Sequence, residues 1–450
     1  MNRRAGHRGG PGSRAALRVA TALATTMLLA GCAGAPRLPA TQAGAGAVAG
    51  VPQPQVRREW RFEADGVVFD NHLPAARLSG VERLGEGRYR LHIAPEVHPV
   101  NPSPWYGLRV RSEAPQTLAL EFAYAYGHRH RYRPVTSVDG VTWRGADDAM
   151  VTLEGAGAPV LHLEVDARGV RVFAQPPLLP HEVHAWAADV AGRVGGRLHA
   201  FGASVRGSPL WALEFGAGPG APVLLVLGRQ HPPENTGSEA LRAFVDALAG
   251  DPPQARALRR RARVLVLPLL NPDGVVEGHW RGNANGVDLN RDWGPFTQPE
   301  TRAVRDFLDA ALGDERRIAF AIDFHSTHRD VFYTVAEDPS RAPGGMLHAW
   351  MAAMQARFPG RIEERAFAAT SPVFKNWAYC RFGAPAVTYE VGDHTPAAVL
   401  DEVARHAADV LMTLPGGLVR PAAPAPACSP RPASGAAETG DSGAGRADIR

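Results

Sequence analysis

The stretch "APVLLVLGRQHPPENTGSEALRAFVDALAG", residues 221–250, decides the fold. Residues 222–228 are apolar without alternation, which suits a strand buried on both faces; a strand with one wet face would alternate. From Ser238 the apolar positions fall at helical spacing. The pattern recurs downstream. "ARVLVLPLL", "IAFAIDFHS" and "PAVTYEVG" read as further strands, "PETRAVRDFLDAAL" and "AAVLDEVARHAADVLMTL" as helices. Residues 183–414 are therefore expected to form an α/β domain, a mixed, mostly parallel sheet with helices on both faces. Its active site should lie beyond the carboxyl ends of the strands.

The pattern upstream is different. Over residues 56–182 short alternating runs such as "RYRLHIAP", "GLRVRS", "TLALEFAYAY" and "VLHLEVD" are separated by Gly, Pro, Asp and Asn turns. Such spacing predicts an antiparallel β-sandwich.

The flanks do not belong to either unit. Arg3, Arg4, Arg8, Arg14 and Arg18 precede "ALATTMLLAGC", the charged and apolar parts of an export signal, too short to span a membrane. Its "LAGC" ending, Leu29 to Cys32, resembles a bacterial lipobox. That implies a leader over residues 1–31, acylation at Cys32 and a lipid anchor in the cell envelope, at the outer membrane facing the periplasm. Residues 32–55 read as a flexible tether and 415–450 as a low-complexity tail, both too poor in large apolar groups to offset their ordering entropy. The formal charge of +4 becomes −1 once the five leader arginines are gone, so no nucleic-acid partner is implied. Cys380 and Cys428 could pair in an oxidising compartment. Because Cys428 sits in the tail, both are expected to stay reduced.

Chemistry concentrates after the strands. His231 and Glu234 follow the strand at 222–228 with His-x-x-Glu spacing, and imidazole and carboxylate are both ligands of catalytic zinc. In "DFHSTH" His325 and His328 compete for the third ligand, and His325, nearer the strand end, is favoured. Between them Arg281, Asn290 and Arg291 lie in a segment sparse in apolar residues. A guanidinium there can grip a carboxylate through two parallel hydrogen bonds or stabilise a developing oxyanion.

In this order "HPPE", "NPDG", "DLNR", "DFHSTH" and "YEVG" resemble the zinc carboxypeptidases. The upstream segments "NPSPWYGLRVRS" and "YAYGHRHRYRPV" are similar to the amino-terminal domain of the cytosolic branch of that family. The resemblance implies one zinc ion held by His231, Glu234 and His325. It implies that Glu390 moves a proton from the attacking water to the leaving amine, that Arg281 polarises the scissile carbonyl, and that Asn290 with Arg291 holds the terminal carboxylate. It places Asp288 behind the first zinc histidine. The family's tyrosine covering the substrate has no counterpart in "RIEERAFAATSPVFK". The cluster "GHRHRYR" makes a poor metal site and is read as a domain interface or glycan contact.

Lys375, the one lysine in the chain, stands two residues before Trp377. By the resemblance this is the base of the specificity pocket, so a terminal Glu, Asp or another residue with an extra carboxylate is expected, peptidoglycan stem peptides included. The substrate is expected to be the carboxyl terminus of a peptide or protein. Two other readings compete: a surface lipoprotein that binds peptidoglycan or glycan without hydrolysis, and a zinc deacylase of acyl amino acids.

Overall fold

A computed structural model describes residues 52–53, 55–154, 158–312, 318–336, 338–341, 343–367, 370–414 and 418. The expected leader with Cys32, nearly all of the tether and all of the tail except Leu418 lie outside the described residues.

The amino-terminal part holds β1 (Glu59–Phe62), β2 (Val67–Asp70), β3 (Gly80–Gly85), β4 (Arg88–Ile93), β5 (Gly107–Ser112) and β6 (Gln116–Tyr124). It continues through β7 (Val135–Ser137), β8 (Arg144–Gly145), β9 (Val151–Glu154), β10 (Ala158–Val165) and β11 (Val170–Phe173). They form two sheets, β1-β2-β5-β11-β7-β8 and β3-β4-β6-β10-β9. Their inward residues, among them Phe69, Leu91, Val110, Leu120 and Val172, make one apolar core. The sandwich is antiparallel as expected, except that β4 and β6 pair in parallel.

The second part opens with α1 (Pro180–Val194), β12 (Arg197–Ala203), β13 (Pro209–Gly216), β14 (Val223–Gly228), α2 (Asn235–Ala249) and α3 (Pro253–Arg261). Next come β15 (Arg263–Leu267), α4 (Pro272–Glu277), α5 (Pro299–Leu312), β16 (Ile318–Thr327) and β17 (Val331–Val335). It ends with α6 (Met346–Arg357), β18 (Glu363–Phe367), α7 (Phe374–Phe382), β19 (Ala386–Gly392) and α8 (Ala397–Thr413). The sheet order is β12-β13-β15-β14-β16-β19-β17-β18. Its centre, β15-β14-β16-β19, is parallel. Antiparallel pairs flank that centre.

The unbroken apolar run of β14 follows from this layering. Leu224 and Val226 pack into the core shared with α1, α2, α3, α6 and α8. Val223, Leu225 and Leu227 pack into the opposite core with α5 and α7. Neither face of the strand meets water, so no position selects for a polar side chain.

The two parts are joined through buried contacts. Trp280, just after α4, belongs to the sandwich core. Its indole N–H donates to the Trp105 carbonyl at 2.9 Å. Arg131 of the "GHRHRYR" cluster reaches Asp393 just after β19 at 2.7 Å, which supports the interface reading of that cluster. Cys380 in α7 is disulfide-bonded, a correction to the expectation that it stays reduced. Composition is a guide to packing and does not decide whether two sulfurs meet at bonding geometry.

Candidate active site

β14 delivers the chain to the carboxyl edge of the sheet, and Arg229, at φ 55°, turns it back. A non-glycine residue rarely adopts this left-handed backbone, so the turn needs support. The buried Arg229 guanidinium gives it, donating to the Pro232 carbonyl at 2.8 Å and to Ser238 Oγ at 3.1 Å. His231 follows, and Glu234 stands immediately before α2. The start of α2 presses against β16: a Cβ on Gly237 would lie 2.5 Å from the His325 carbonyl oxygen. Only glycine permits that approach. Ser326 Oγ accepts the Gly237 N–H at 2.8 Å and fixes the contact.

This brings the ligand atoms of His231, Glu234 and His325 within 4.8 Å of one another. His231 Nδ1 is 2.7 Å from Glu234 Oε1, and His325 Nδ1 is 2.8 Å from Glu234 Oε2. All three side chains are buried. Behind them each ring has a carboxylate partner. His231 Nε2 lies 2.9 Å from Asp288 Oδ1, and His325 Nε2 lies 2.7 Å from Asp323 Oδ2. Both rings thus present Nδ1 to the centre of the cluster, the tautomer control typical of metal-ligating histidine.

The charges agree with a cation site. Burial opposes ionisation of Glu234, yet the His231 and His325 charges hold its carboxyl below the usual range. Burial opposes charge on His325 as well, but Asp323 and Glu234 raise it. A metal ion binding here replaces a proton the carboxylates already favour. Two imidazoles and a carboxylate leave room for a fourth ligand, so the donor set fits one catalytic zinc ion.

Glu390 is the pairing partner of His325 in the β16–β19 ladder, so both side chains share a face. Burial pushes its carboxyl up to about 7, aided by the Glu234 charge and opposed by His325, His231 and Arg281. Arg281 donates through Nε to Asp288 Oδ2 at 2.6 Å, so one carboxylate ties the guanidinium to the His231 ring. The Asn290 amide spans His325 Nε2 at 3.3 Å and the Phe374 N–H, which donates to Asn290 Oδ1 at 3.0 Å. Arg291 is exposed beside it. Lys375 is buried in the first turn of α7, and its Nζ donates to Asn376 Oδ1 at 2.7 Å.

His328 does not join the cluster. It lines a neighbouring cavity of about 960 Å³ with Arg329, Asp330, Arg361, Glu363 and His394. Two residues behind the ligands escaped the sequence reading. Asp323, two positions before His325 on one strand, must share its face, and that spacing could have revealed it. Gln230, which links Trp293 to Asp323 at 2.8 and 2.7 Å, carries no comparable signal.

The zinc carboxypeptidase family pattern matches residues 183–409. Cytosolic carboxypeptidase 6 of Mus musculus is 34% identical over 108 residues, 23% of this chain and 20% of that protein. Cytosolic carboxypeptidase 2 of Danio rerio is 35% identical over 109 residues, 24% of this chain and 15% of that protein. The matched segment therefore spans a fifth or less of these relatives' length. Among solved structures, a metallo-carboxypeptidase from Burkholderia cenocepacia superposes with a TM-score of 0.64 at 22% identity, covering 77% of this chain and 98% of the other. A metallo-carboxypeptidase from Pseudomonas aeruginosa gives 0.63 at 20% identity, with 77% and 98% covered. At these identities the likeness is one of fold.

Proposed function

The chain belongs to the zinc carboxypeptidase family, and from that premise we propose that it is a metallocarboxypeptidase hydrolysing the carboxyl-terminal peptide bond of peptides or proteins. The observation that carries this reading is the position of Glu390 beside the buried His231, Glu234 and His325 set. Bound there, zinc supplies a Lewis acid that acidifies water and polarises the carbonyl. Glu390 takes the proton of the attacking water and returns it to the leaving amine, a task suited to a carboxyl poised near neutral pH. Arg281 donates to the carbonyl oxygen as it gains charge. Arg291, exposed beside Asn290, grips the terminal carboxylate, which restricts cleavage to chain ends.

Lys375 extends the reading to specificity. Its ammonium lies in the first turn of α7, where the helix dipole also favours anions. The preferred last residue is therefore acidic, or carries an additional carboxylate as in peptidoglycan stem peptides. The arginine-rich leader and the "LAGC" at Leu29–Cys32 support export and a lipid anchor at the outer membrane, facing the periplasm.

A carboxyl-terminal scan tests both levels. Zinc-loaded protein is given peptides identical except for the last residue, with a chelated control. Fastest release of Glu or Asp is expected. No cleavage of any peptide overturns the catalytic reading, and equal rates across the panel overturn the preference alone.

A further inference from the structure

Arg281 stands in an irregular segment between α4 and Asp288, with no helix or strand of its own to hold it. Three successive backbone N–H groups of this segment converge on one carboxylate. Trp280 N–H donates to Glu96 Oε2 at 2.7 Å, Arg281 N–H to Oε1 at 3.0 Å, and Gly282 N–H to Oε1 at 2.7 Å. Glu96 follows β4 in the sandwich and is fully buried. Successive N–H groups curved around an anion form a strong and directional cradle.

The same segment is pinned on both sides of that cradle. Trp280 inserts its ring beside His128 and Tyr124, with centroids at 5.2 and 6.3 Å. Gly278, at φ 64°, passes so close to the sandwich that a Cβ would lie 2.7 Å from the Ala75 carbonyl oxygen. The Arg281 backbone is therefore held from the sandwich, and its guanidinium from Asp288.

We propose that Glu96 is a positioning residue for Arg281, making the sandwich an integral part of the active site. The proposal rests on the reading of Arg281 as the donor to the scissile carbonyl. Without the carboxylate, three buried N–H groups lose their acceptor and the segment relaxes toward other partners. A displacement of about 1 Å in a group that acts on the transition state can cost on the order of a hundredfold in rate.

The test is a double-mutant cycle on full-length, zinc-loaded protein: wild type, Glu96→Gln, Glu96→Ala, Arg281→Ala and the Glu96→Ala, Arg281→Ala double variant. For each, kcat, KM, zinc content and thermal midpoint are measured. Glu96→Gln keeps one acceptor oxygen and should lower kcat about tenfold, Glu96→Ala about a hundredfold, with KM within about twofold. Zinc content should stay at the wild-type level. In the Arg281→Ala background, Glu96→Ala should lower kcat no further, because the group it positions is gone. Additive losses overturn the proposal, as does an unchanged kcat in both Glu96 variants. A Glu96→Gln protein that fails to fold or to hold zinc overturns it too, since Glu96 is then a determinant of the fold. A zinc-loaded wild type without peptidase activity defeats the functional reading and this inference together. An active wild type matched by its Glu96 variants defeats the inference alone.

Discussion

His325 Nε2 lies 2.7 Å from Asp323 Oδ2, two residues earlier on the same buried strand, and this contact turns Nδ1 of the ring toward Glu234 and His231. Asp323 is therefore expected to tune zinc affinity without touching the ion. Asp323→Asn should weaken zinc binding by about 10 to 100-fold, read by competition with a chromogenic chelator. Affinity equal to wild type would show that strand packing alone orients the ring.

Glu390→Gln removes the proposed proton carrier while keeping shape and leaving His231, Glu234 and His325 intact. Peptidase activity should fall by about 10² to 10⁴-fold with zinc content unchanged. The base acts as the carboxylate, so activity is lost as pH falls through its pKa. Burial raises that value to about 7 in the metal-free protein, and a bound cation lowers it. The acid limb of kcat/KM should therefore lie at or below about 7 and be missing from the residual activity of Glu390→Gln. An acid limb that stays unchanged in Glu390→Gln would remove Glu390 from the base role.

Lys375 offers a test of specificity. Lys375→Ala should bring the rates for peptides ending in Glu and Leu together, chiefly by slowing Glu, while Lys375→Glu should disfavour acidic ends and admit Arg. A discrimination of about 1.4 kcal/mol per tenfold makes the change easy to read. A preference for acidic ends that survives both substitutions would place the selecting cation elsewhere.

These outcomes bear on how far the sequence alone could be read. The buried strands at 223–228 and 263–267 announce themselves, because both faces are covered and, Arg263 apart, no position carries a polar side chain. His231, Glu234 and His325 are legible because each stands near the carboxyl end of a strand and the motifs come in a fixed order. Pairings between distant segments are another matter. Glu96 and Trp280 are separated by 184 positions, and a lone acid in "IAPEVHPV" has no periodicity to betray a partner. The parallel pairing of β4 with β6 is hidden for the same reason, since alternation reveals a strand and its wet face but not its neighbour. At Cys380 the composition of the tail pointed the wrong way.

His130 links acid stability to the sandwich. Its Nδ1 meets the Tyr124 hydroxyl at 2.7 Å, and its ring packs against Tyr106 and Phe122 with centroids at 5.8 and 5.1 Å. Burial, helped by the charge of His394 and opposed by the Tyr132 backbone, pushes its pKa down to about 4 from an ordinary 6.5. The unfolded chain therefore binds a proton that the folded chain refuses between these values. The stability linked to the neutral ring is complete above pH 6.5 and lost as pH falls toward 4, by up to about 3 kcal/mol. His130→Phe keeps the aromatic volume and removes the titration. Between pH 7 and 4.5 the thermal midpoint of wild type should fall more steeply than that of the variant, and their difference cancels the other histidines. Because the same sandwich holds the Arg281 segment through Glu96 and Trp280, activity after a brief exposure to pH 4.5 should be better preserved in His130→Phe. Parallel midpoint curves for the two proteins would show that His130 is protonated as easily folded as unfolded.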